Sequence, residues 1–280
     1  MTVSRWNIDG RGGSEAAVGF DLLGTRVGIS SDSGTALESL IGVAPPAATL
    51  CPYGSTVERL FVDTGSAGSG GGLYFESRGN EELLRFDRLG PAELKAVESK
   101  LQLVFALAAA PDTLFLHAGA VAFGQRGILI AGNTYSGKTT LIAELVSRGA
   151  GYFTDDCAVI TAGGLLFPNP SRLGIRTSRF EREPRSAAEL GSADATLPVP
   201  VTDIYFTSFE AGAVFEPQRL TDGAAALEVL GSFFYPAVVD HYPAECIRFA
   251  SSLAAKARVY AGTRAEAADA ADVIERRARQ

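Results

Sequence analysis

Gly132, Asn133, Thr134, Tyr135, Ser136, Gly137, Lys138 and Thr139 satisfy the pattern G-x-x-x-x-G-K-[ST], and Thr140 follows them. Glycines at the two fixed positions let the backbone curl until successive N–H groups face one point, where phosphate oxygens can sit. A lysine can then reach the outer phosphates, and a threonine hydroxyl can ligate Mg²⁺. Two further features lie at strand spacing from this loop. His117 precedes Lys138, and the adjacent pair Asp155–Asp156 follows it. Two carboxylates beside "YF" and "AVI" are costly to bury unless they serve a metal or an acid–base step. Successive side chains on a strand face opposite ways, so one aspartate could meet Mg²⁺ while the other turns to a different partner.

The elements around these residues fit the demand. "LFLHAGAVAF" and "GILIA" read as two strands joined by the turn "GQRG". The loop follows, then a helix from about Lys138 to Arg148 that Gly149 should cap. "GYFTDDCAVI" reads as one further strand carrying both aspartates, and "VTDIYFTSF" as another. "TDGAAALEVLGSFF" reads as a helix capped by Thr221 or Asp222, and two helices near 245–257 and 264–279 finish the chain. Alternating strands and helices of this kind predict an α/β domain.

Residues 117–160, "HAGAVAFGQRGILIAGNTYSGKTTLIAELVSRGAGYFTDDCAVI", resemble the core of the HPr kinase/phosphorylase family. That family of bacterial protein-serine kinases shows a histidine heading the hairpin, a P-loop, a helix ending in "LV-RG" and a strand bearing "DD". The resemblance extends over roughly 100–260 and is absent from the first 90 residues. It implies an α/β P-loop kinase fold of the type shared with phosphoenolpyruvate carboxykinase. It also implies ATP as phosphoryl donor with Mg²⁺. Asp155 would be the general base, His117 would lie beside it, and Lys138 would hold the β- and γ-phosphates. Thr139 and Asp156 would hold the metal. Asn133, Thr134 and Tyr135 stand where the family carries Asp, Ser and Gly. The nearer likeness is to stand-alone HPr-kinase-like proteins that accompany peptide-modification gene clusters. The acceptor implied is a hydroxyl, serine first, of a peptide or protein such as a precursor peptide or carrier. Two other readings stay open: a kinase of small-molecule hydroxyls, and a nucleotide-binding regulatory module without transfer, which the bulky Tyr135 favours. ATP against GTP, and whether the chain forms a homo-oligomer, also stay open.

Residues 91–280 are therefore expected to form the catalytic domain, and 1–90 a small β-rich accessory region. There "AAVGFDLLGTRVGIS" reads as a strand pair broken at Gly24, "VERLFVD" as a strand, and "LYFES" with "LLRFD" as a hairpin. "GSAGSGGG" (65–72) reads as a flexible loop. Pro91 opens the helical pattern "PAELKAVESKLQLVFALAAA". Arginines 172, 176, 179, 182 and 185 could bind an acidic substrate or the triphosphate, although loop arginines usually just solvate a face. His241 lacks any partner pattern.

Bulk properties exclude other classes. A net charge of -7 and a pI near 5.0 argue against nucleic acid as a partner, because phosphate backbones select basic faces. No apolar run approaches the roughly 18 residues of a membrane span. Cys51, Cys157 and Cys246 show no CxxC spacing, and the first residues show no apolar leader, so a reducing cytoplasm is the expected location.

Overall fold

The computed structural model describes residues 16–42, 44–65, 70–133, 136–176 and 182–280. The chain separates into two units, Met1–Ala109 and Ala110–Gln280.

In the first unit the elements run β1 (Ala16–Leu22), β2 (Thr25–Ser31), α1 (Gly34–Ile41), β3 (Thr49–Cys51) and β4 (Glu58–Asp63). Then come β5 (Gly71–Phe75), β6 (Glu81–Phe86) and α2 (Pro91–Ala109). The strands form one sheet in the order β3-β1-β2-β4-β5-β6, antiparallel except for the parallel pair β2–β4. Both expected hairpins form, the first turning at Leu23–Gly24, where φ is positive at each residue. Gly71 and Gly72 of the expected loop belong to β5, and residues 66–69 lie outside the described residues. Helix α2 was expected to open the catalytic domain, yet it belongs to this first unit. Its face Val97, Leu101, Phe105 recurs every four residues and is fully buried, as are Leu60, Val62 and Leu73 of the sheet.

The second unit continues with β7 (Thr113–Phe123), β8 (Arg126–Ala131), α3 (Lys138–Ser147), β9 (Gly151–Thr154) and β10 (Cys157–Thr161). Next are β11 (Leu165–Phe167), β12 (Leu173–Arg176), β13 (Arg182–Arg185), β14 (Val199–Phe209) and β15 (Gln218–Arg219). Last come α4 (Asp222–Gly231), α5 (Pro236–His241), α6 (Pro243–Lys256), β16 (Arg258–Arg264) and α7 (Ala267–Ala278). The result is a mixed α/β unit whose main sheet runs β11-β10-β7-β8-β14-β16-β15, with β9 added on β7. Strands β8, β14 and β16 are parallel. A parallel strand is covered on both faces, which is why "GILIA" is an unbroken buried apolar run. Leu141, Ile142, Leu145 and Val146 of α3 join Ile128, Ile130, Tyr205, Ala271 and Ile274 in one core.

Two expectations fail here. The single strand "GYFTDDCAVI" is two strands, β9 and β10, interrupted at Asp155–Asp156. The Thr154 hydroxyl accepts from the N–H groups of Asp156 and Cys157 and so shapes the bend. Strand β16 occupies ground assigned to loop and helix, and the final helix starts only at Ala267. Among the described residues no helix is long and apolar enough to cross a membrane.

Candidate phosphate-binding and transfer site

Strand β7 organises the site because its partners change along its length. Thr113–His117 pair with β10, while Ala118–Phe123 pair with β8. Ala118 lies opposite Ala131, the residue that releases the glycine loop. His117 thus stands one residue from the root of the loop, and Cys157 lies opposite it, just beyond the two aspartates. Where β8 no longer covers β7, the segment 232–234 does: the His117 N–H donates to the Ser232 carbonyl at 2.7 Å. The Phe234 ring meets the imidazole edge-on, with centroids 5.3 Å apart, which fixes the ring's plane.

The two glycines of the loop sit in close quarters. A Cβ on Gly132 would lie 2.2 Å from the Thr207 carbonyl oxygen, so no other residue fits there. Gly137 sits in the left-handed region at φ +78 and is the N-terminal cap of α3, with no side chain closing the helix end. The first amides of α3 therefore keep their donors available to an anion. At the other end Gly149, at φ +90, places its N–H on the Val146 carbonyl, and the Ala150 N–H reaches that of Leu145, the expected cap. Asn133 is exposed and its carbonyl accepts from the Ser136 N–H. Ser136 is buried, and its hydroxyl finds no partner among the described residues. Thr140 is exposed on the first turn, and Thr134 and Tyr135 lie outside the described residues.

Lys138 is buried, and its ammonium donates to the Gly132 carbonyl at 2.7 Å and contacts His117 Nε2 at 3.0 Å. Burial lowers its pKa, and the charges of Asp156 and Asp155 oppose that shift. An ammonium only donates, so His117 Nε2 must accept, and the ring proton then sits on Nδ1. Nδ1 lies 3.2 Å from Asp156 Oδ1. Lys138, His117 and Asp156 thus stand in series, ending on a carboxylate that is 58% exposed.

Asp155 has other partners. It is buried, and its Oδ2 accepts from the Thr139 hydroxyl at 3.3 Å and the Gly174 N–H at 3.4 Å. Its Oδ1 accepts from Ser171 Oγ at 3.2 Å and from the Tyr152 hydroxyl at 3.4 Å. Burial raises its pKa, with the Asp156 charge adding to the rise, while the Gly174, Ser171 and Thr139 donors pull it down. The sequence reading set His117 beside Asp155 and grouped Thr139 with Asp156. The structure exchanges the partners, because the bend at Asp155–Asp156 turns Asp155 inward beneath α3 and Asp156 outward.

Thr139, Asp155 and the outer phosphates would offer only hard oxygen donors, which suit Mg²⁺. Among the described residues no group of three His, Cys, Asp or Glu side chains forms a metal cage. The arginine segment is engaged elsewhere: Arg172 pairs with Glu189 and Arg185 with Glu183, all at the surface. The side chains of Arg176 and Arg182, and all of Arg179, lie outside the described residues. His241 ends α5 against the ring of Tyr242.

Three residues at the site had escaped notice in the sequence. Ser171 and Tyr152 carry no motif and reach Asp155 only through the fold. Arg264 ends the overlooked β16 and is 2% exposed. Its Nη2 donates to the carbonyls of Ser136 and Gly137 at 2.9 and 2.7 Å.

No family model matches the sequence, and no curated protein matches it. Among solved structures the Hpr(Ser) kinase/phosphatase from Coxiella burnetii is similar at 12% identity, covering 59% of this chain and 93% of that one, with a TM-score of 0.30. That similarity is too low to define this chain's fold or family.

Proposed function

We propose that the protein is a phosphotransferase that passes the terminal phosphoryl group of ATP to a hydroxyl, with a serine of a peptide or protein as acceptor. The observation that carries this reading is the meeting, at one glycine loop, of the Lys138–His117–Asp156 chain and the Thr139–Asp155 pair. A loop that only retained Mg²⁺-nucleotide would need a carboxylate for the metal, but not a second one beside His117.

The loop amides and Lys138 would hold the phosphates. Mg²⁺, bound with the triphosphate, would neutralise the charge that develops on its oxygens. Thr139 and Asp155 would hold the metal, since their oxygens already lie together under the start of α3. Asp156 is the better base: it is 58% exposed, where an acceptor hydroxyl can reach it, and His117 Nδ1 lies 3.2 Å from its Oδ1. The acceptor oxygen bonds to the γ-phosphorus, the bond to the bridging oxygen breaks, ADP leaves, and the hydroxyl proton passes to Asp156. This division of labour reverses the one implied by the family resemblance.

The test incubates the protein with ATP, Mg²⁺ and a serine-peptide library, reads phosphopeptides by mass spectrometry, and measures nucleotide binding by calorimetry. Asp156→Asn should lower transfer at least a hundredfold with nucleotide affinity unchanged. Asp155→Asn should weaken Mg²⁺-dependent affinity first. The opposite pattern would return the base to Asp155. Binding without transfer to any acceptor would leave a nucleotide-binding module.

A further inference from the structure

We infer that Arg264 is the positioning residue of the phosphate cradle. Its guanidinium sets the peptide plane after Ser136, and helps the first turn of α3 set the one after Gly137, so that the following N–H groups face the bound anion. The inference rests on the phosphotransferase reading and concerns how its loop is held in shape.

A trans peptide carries its C=O and N–H on opposite sides. The carbonyls of Ser136 and Gly137 turn down onto Arg264 Nη2, at 2.9 and 2.7 Å, and that of Gly137 also accepts from the Leu141 N–H of α3 at 3.1 Å. The N–H groups of Gly137 and Lys138 must then point the other way, out of the loop floor. The same contact moves two partial negative charges away from the place where phosphate would sit. Gly137 is explained as well: a Cβ there would lie 2.6 Å from Nη2, and its φ of +78 favours glycine. Nη1 donates to the Ala265 carbonyl at 3.2 Å, which anchors the guanidinium at the end of β16.

The charge itself is unusual. Arg264 is almost wholly buried, yet among the described residues it makes no salt bridge, and its Nε finds no partner. Exposed Glu266 acts on it only through space. A buried cation without a paired carboxylate is costly, and an apolar side chain could fill the same volume. A phosphate chain bound across the loop would supply the missing negative charge.

The test compares the full-length wild type with Arg264→Met and Arg264→Lys. Pyrophosphate and ATP affinities are measured by calorimetry at a temperature where circular dichroism shows each protein folded. The methionine variant should bind pyrophosphate at least tenfold more weakly. The lysine variant should fall between, since it keeps the charge but cannot bridge both carbonyls. A role confined to packing would lower the melting temperature and leave the affinity of the folded protein as it was. A folded methionine variant within twofold of wild type overturns the inference. If it fails to fold, the lysine variant decides on the same twofold limit. If neither folds, the wild-type amide resonances of Gly137 and Lys138 decide: they should shift on adding pyrophosphate, and unmoved resonances at saturation overturn the inference. Wild type that binds pyrophosphate but transfers nothing would retire the phosphotransferase reading alone. Wild type that binds neither ligand retires both.

Discussion

Asp155 accepts from four donors, and burial still holds its pKa above the ordinary carboxylate value of 3.8. A raised carboxylate contributes stability while protonated, in full below about 3.8, and loses it as pH rises through the folded value. At neutral pH the ionised group therefore works against the fold. In Asp155→Asn, the amide oxygen would take the place of Oδ2, and the amide N–H groups would face Ser171 Oγ and the Tyr152 hydroxyl. Both hydroxyls can turn to accept. We expect the variant to melt a few degrees higher than wild type at pH 7, with the gap closing as pH falls toward about 4. Calorimetric melting across that range checks the sign, and a variant less stable than wild type at pH 7 would contradict it.

Helix α3 approaches β7 through Gly119, where a Cβ would lie 2.5 Å from Ile142 Cγ1 and 2.9 Å from its Cδ1. Gly119→Ala should cost about 2 kcal/mol in denaturant unfolding, the usual penalty for overpacking a core. Combined with Ile142→Ala, it should cost far less, and a double-mutant cycle measures that coupling. The strand–loop–helix unit was legible in the sequence because an unbroken apolar run, a glycine motif and a terminal glycine each left a local mark. Strand β16 left none. "RVYAGTR" is short, mixes polar and apolar residues, and lies between two helical patterns, so its place depends on pairing with β14. Arg264 was hidden with it. The aspartate pair was found, but its division was not, since a strand and a bend differ here only by the Thr154 hydroxyl turning back on two amides.

Every residue of the proposed site lies within 110–280, the second unit. A fragment of residues 110–280 should therefore bind pyrophosphate within threefold of the intact chain. Loss of binding in a folded fragment would show that the first unit supplies something the site needs. The earlier boundary, at residue 90, would have left α2 on that fragment with its apolar face uncovered. One more property follows from the strand path. β11 pairs with β10 and also with β14, so the path turns back on itself at that end. Its other end, β15, is two residues long. One end is thus closed and the other is a very short strand, two of the devices that blunt edge-to-edge pairing. The six-stranded sheet ends on the three-residue β3 at one side and on β6 at the other, where Glu81, Glu82 and Arg85 stand exposed. One sheet closes an edge on itself, and the other places charge along one of its two edges.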